Sequence, residues 1–116
     1  MMNSLSPEEL QHQIDIGNYS LKVDQLRQNR CALSSIKYGS GRRNFPNKVQ
    51  AIPTMYRCID KYEETHNTEY LLDAMNYLMF EFMYPSIKDA RFKPTDSSES
   101  AGLVGMSIKE IEEFDK

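Results

Sequence analysis

Asp73 and Asn76 are the residues whose setting most needs a chemical explanation. They stand one helical turn apart in a stretch, Asn67 to Pro85, that is otherwise mostly apolar and aromatic. A buried carboxylate or amide costs about 1–3 kcal/mol unless something bonds to it. Two uses meet that demand: a bond to a neighbouring loop or to an arginine in the core, or a place in the wall of a pocket with Tyr77, Phe80 and Tyr84. Elsewhere, Arg42 and Arg43 follow Gly39-Ser40-Gly41, a loop that can aim backbone amides and guanidinium groups at a phosphate, and Arg91 and Lys93 flank Phe92. Arginines hold phosphates, aromatic rings stack on bases, and a carboxylate or amide reads a base edge or a ribose hydroxyl. Taken together, these residues point to a nucleotide-like ligand bound without chemistry and without a cofactor. Arg42 and Arg43 with Arg91 or Lys93 are expected to hold phosphate, Tyr77, Tyr84 or Phe92 to stack, and Asp73 and Asn76 to bond to base or ribose.

Other chemistries find less support. All-helical pyrophosphohydrolases hold magnesium with acidic pairs on adjacent helices, and Asp60, Glu63, Glu69 and Asp73 are the candidates here. The E-x-x-E and E-x-x-D pairs of MazG-like enzymes are missing, since one pair begins with Asp and the other is spaced by four. Cys31, Cys58, His12 and His66 show neither metal-ligand spacing nor a nucleophile signature. No catalytic residue and no metal ligand is therefore expected.

Charge is unevenly distributed along the 116 residues. The net charge of -3 conceals a segment from 27 to 61 in which eight basic residues face Asp60 alone, for a local +7. That segment suits pairing with the acidic remainder of the chain or an anionic partner. Along nucleic acid it would lie on the phosphate backbone, with strong salt dependence; the acidic remainder could instead imitate nucleic acid towards a protein. A nucleic-acid partner is not the preferred reading. There is no apolar run of 18 residues and no basic start leading into an apolar stretch, so the expected setting is the cytoplasm, with no membrane partner and with reduced cysteines.

The elements that must position these residues read as helices. After a frayed 1–5, Ser6-Pro7-Glu8-Glu9 is a helix start, and Gly17-Asn18 its end. Tyr19, Val23, Leu26, Leu33 and Ile36 keep helical spacing up to Tyr38. Residues 39–47 form a glycine-arginine loop. Val49, Ile52, Met55, Tyr56, Ile59 and Tyr62 define a helix within 48–64, with Pro53 best placed in its first turn. A short turn leads into a helix over 68–84, capped by Asn67 or Thr68, apolar nearly all round and so expected at the centre. Residues 86–106 form a long loop, and a short helix over 107–115 opens on Ser107-Ile108-Lys109-Glu110. The expected fold is all-α: a single small helical domain of four to five helices around a central buried helix. A chain so short with so apolar a central helix is expected to form a homo-oligomer.

The run from Asn67 to Tyr77, with Glu81-Phe82-Met83-Tyr84-Pro85 and Lys93-Pro94-Thr95-Asp96-Ser97-Ser98-Glu99-Ser100-Ala101-Gly102, resembles small proteins encoded by phages and prophages of Gram-positive bacteria. The similarity is strongest from about Lys61 to Phe114. It implies a setting, the infected bacterial cytoplasm, and transfers no site residue. In that setting, small proteins without a catalytic signature often counter host defence. The expected function is therefore an anti-defence protein that sequesters a nucleotide-derived, cyclic immune signal. An inhibitor of a host defence protein, such as a CRISPR effector, by direct contact is the alternative, and the magnesium-dependent pyrophosphohydrolase is the second.

Overall fold

A computed structural model describes residues 4–106 together with Lys109, Glu110 and Glu113. The order is α1 (Pro7–Asp15), α2 (Leu21–Tyr38), α3 (Gly41–Asn44), α4 (Ala51–Thr65) and α5 (Glu69–Met83), followed by one 3₁₀ turn at Ser97–Glu99. No strand occurs among the described residues, so the domain is all-helical as its periodicity predicts. The helix expected over 107–115 lies outside the described residues except at Lys109, Glu110 and Glu113, which are helical.

Local chemistry accounts for the helix ends. The Ser6 hydroxyl accepts from the Glu9 amide at 3.1 Å, and Pro7 occupies the first turn, where a missing N–H costs nothing. The second helix starts two residues later than its apolar spacing suggests, because Ser20 caps it by accepting from the Val23 amide at 3.1 Å. Tyr19 instead donates its hydroxyl to Asp24 at 2.9 Å. α2 stops at Gly39, whose φ of 88° is open to glycine at little cost. The fourth helix starts at Ala51, so Pro53 is its third residue and still displaces no intrahelical bond. His66 takes the left-handed conformation at the end of α4, and the Asn67 side chain accepts from the Glu69 amide at 3.0 Å to start α5. Three residues thus turn α4 into α5, forming a helical hairpin.

The glycine-arginine loop is more structured than its composition suggests. Ser40 caps a single helical turn by accepting from the Arg43 amide at 3.3 Å. Asn44, buried, donates its amide to the Tyr38 carbonyl at 2.9 Å, tying this turn to the end of α2. Phe45 follows, with a cis bond to Pro46.

α5 lies between α4 on one side and α2 on the other. It is central in that sense, yet only Ala74 and Asn76 are buried along it. Met75, Leu78, Phe82 and Met83 remain exposed, so the buried central helix expected from its composition is not what this chain by itself provides. α1 buries none of its residues. Among the described residues, the rest of the buried set is Phe45, Ala51 and the polar Asn44.

Packing leaves no room for a side chain at Gly41. A Cβ there would meet the Phe80 ring at 2.7 Å, and that ring is stacked on Phe45 at a centroid separation of 4.4 Å. Gly41→Ala should therefore displace the stacked pair and cost about 1–3 kcal/mol by overpacking. A urea midpoint unchanged from the parent would show that α3 does not seat on α5 through this contact.

Candidate functional site

The helices α2 and α5 are joined by a polar ladder. Arg30 donates from Nε and Nη2 to the two oxygens of Asp73, at 3.1 and 3.0 Å, and its Nη1 lies 2.6 Å from Glu69. One turn earlier on α2, Arg27 donates to Asn76 Oδ1 at 3.2 Å, while the Asn76 amide donates back to the Arg27 carbonyl at 3.0 Å. Arg27 also reaches Asp24 at 2.8 Å. Asn76 is 5% exposed and has no unmet polar group, so its burial is fully compensated. Pairing with arginines, the first of the two uses open to Asp73 and Asn76, is therefore met. The pair is tight enough to raise Arg30 above its ordinary value, chiefly through the bonds to Asp73.

Beside this ladder a cavity of about 580 Å³ opens between α2, α3 and α5. One wall carries Arg30, Asp73 and Asn76; the aromatic part consists of Tyr38, Phe45, Tyr77 and Phe80. Tyr77 stands edge-on to both phenylalanines, at 6.1 Å from Phe45 and 6.5 Å from Phe80. Ser34, Ser35 and Lys48 complete the polar lining. Arg42 and Arg43 are exposed on α3 between two lining residues, Gly41 and Asn44. None of Arg42, Arg43 and Lys48 pairs with a carboxylate among the described residues. Around the cavity, the cations without a carboxylate partner therefore stand on the α3 side.

The nine residues expected to bind a ligand do not form one group. Asp73, Asn76 and Tyr77 line the cavity, and Arg42 and Arg43 adjoin it. Tyr84, Arg91, Phe92 and Lys93 do not line it. Phe92 rests edge-on against Phe82 at 6.4 Å, and Lys93 pairs with Glu99 at 3.6 Å. The long loop thus engages the outer face of α5 rather than the cavity. Lys48, Tyr38 and Phe45 belong to the lining and have no signal in the sequence strong enough to mark them. Among the carboxylates weighed for magnesium, Glu69 and Asp73 share Arg30, and no group of three metal-ligating side chains converges among the described residues.

No family model, curated protein or solved structure matches this chain. No helix among the described residues is long and apolar enough to cross a membrane.

Burial raises the Tyr77 hydroxyl above its ordinary range, with the neighbouring Cys58 and Asp73 adding to it. Burial likewise raises the Cys58 thiol, and the Asp73 charge adds to that shift. Both groups are favoured neutral in the fold. Their contribution is complete below the ordinary thiol value of 9.0 and is lost as pH rises through the raised values. The urea midpoint should therefore fall above about pH 9, and fall less in Cys58→Ala. Identical pH profiles for parent and variant would remove Cys58 from this linkage.

Proposed function

We propose that this protein binds and holds a nucleotide-derived anionic signal in the cavity between α2, α3 and α5, without transforming it. The observation that carries the reading is the pairing of an aromatic lining, Tyr38, Phe45, Tyr77 and Phe80, with three cations free of carboxylate partners, Arg42, Arg43 and Lys48. A base is recognised by rings and a phosphate by exposed cations, and the volume suits a small molecule. Asp73 and Asn76 are already engaged by Arg30 and Arg27. Their role in this reading is to hold the wall rather than to read the base.

Capture without chemistry fits a site in which Asp73 and Glu69 are neutralised by an arginine. No activated nucleophile stands in the lining: Cys31 and the serines Ser34 and Ser35 have no adjoining histidine among the lining residues. The phage-like resemblance supplies the biological class, an anti-defence protein acting in the infected cell.

A thermal-shift screen tests the reading with cyclic dinucleotides, cyclic trinucleotides, cyclic ADP-ribose isomers and nucleoside triphosphates, with and without magnesium. A ligand at about 100 times its dissociation constant stabilises by about 2.7 kcal/mol. The expected result is a raised midpoint with the ligand recovered intact, and at least a tenfold loss of affinity in Arg42→Ala/Arg43→Ala with the fold retained. A cleaved ligand would make the protein an enzyme. No shift with any compound would favour the direct inhibitor of a host protein.

A further inference from the structure

We propose that a second copy of this chain covers the outward apolar surface of α2 and α5, so that the folded unit is an obligate homo-oligomer. On α2 the surface consists of Leu26, Leu33 and Ile36, which helical spacing aligns within about a third of a turn. Ile36 is 82% exposed. On α5 it consists of Met75, Leu78 and Phe82, equally aligned, with Phe82 71% exposed although Phe92 leans on its ring.

Area decides what covers this surface. The chain exposes 10,006 Å², against about 6,500 Å² for a compact monomer of 13.5 kDa. Its radius of gyration is 17.0 Å, against about 13 Å for a compact chain of this length. Part of the excess belongs to the 86–105 segment, whose residues are all exposed and include Ile87, Leu103 and Val104. The roughly 800 Å² per partner of a standard interface fits well within this excess, even with the share of the 86–105 segment set aside.

The missing core points the same way. No large side chain is fully buried in the single chain, and the buried apolar residues are Phe45, Ala51 and Ala74 alone among the described residues. Such a chain lacks the apolar burial that offsets the entropy of folding. Its partner must therefore be present whenever it folds. A host protein or a ligand arrives later, whereas a second copy is made with the first. Charge agrees, since the basic 27–61 segment and the acidic remainder are complementary between copies as well as within one.

The proposal is independent of what the cavity binds. Sedimentation and native mass spectrometry of the full chain should give an integer multiple of 13.5 kDa, with a melting midpoint that rises with protein concentration. A photo-crosslinking side chain in place of Ile36 should join two chains, and the linked peptides should map to α2 or α5 of the neighbour. This replacement keeps the position apolar and so avoids the loss of fold that a charge there would cause. A cooperatively folding 13.5 kDa monomer, or an oligomer whose links from position 36 remain within one chain, would overturn the proposal.

Discussion

The two arginines of α2 that grip α5 hold the rest of the structure in place. Arg27 and Arg30 are three residues apart, as are Asn76 and Asp73, so each helix presents its pair one turn apart and the two pairs meet as rungs. A shift of α2 by one turn would leave either the Asn76 amide or the Asp73 carboxylate without an arginine. Such polar contacts add little net stability against an apolar alternative, but they penalise every other register strongly. The cavity inherits its shape from this register, because Arg30, Asp73 and Asn76 form its wall while α3, tied to the end of α2 by Asn44, carries its other side.

The same ladder separates structural charge from free charge. Arg30 lies between Glu69 and Asp73, and Arg27 between Asp24 and Asn76, so neither has charge to spare for a ligand. Around the cavity, Arg42, Arg43 and Lys48 remain without a carboxylate partner among the described residues, on α3 and just after it. With Asp73 and Asn76 engaged in the ladder, the cavity is left with rings in its lining and unpaired cations at its edge. Its large uncovered area has a different chemistry, aliphatic and aromatic, and faces away from the ladder on α2 and α5. The ligand capture and the self-association proposed above would thus draw on separate parts of the molecule.

Much of the helical architecture was legible in the sequence because it is locally encoded. Ser6-Pro7, Gly39, Asn67 and Pro85 mark ends through backbone chemistry that needs no distant partner. That Asp73 and Asn76 required partners was also legible. Which partners they take was not, since Arg30 and Arg27 lie 43 and 49 residues away and are chosen by the register of two helices. The one-turn α3 was obscured by the glycines on either side of Ser40, which read as a loop by composition although Ser40 caps a turn. That Arg91, Phe92 and Lys93 stand apart from the cavity was not legible for a related reason: pattern shows that a cation and a ring are neighbours in the chain, not which face of α5 the loop follows. The expectation of a buried α5 came from its all-round apolarity, and a single chain covers only the sides that α4 and α2 reach.

A double-mutant cycle on Arg30→Gln and Asp73→Asn, read from urea unfolding at a fixed protein concentration, tests most directly whether the α2–α5 ladder holds the molecule together. Each single change leaves the other partner half-satisfied, so the cycle should show a coupling of about 1–2 kcal/mol, less than a fully buried pair because Arg30 keeps contact with water. Additive effects, with no coupling beyond about 0.3 kcal/mol, would contradict it and leave α2 held by something other than these rungs.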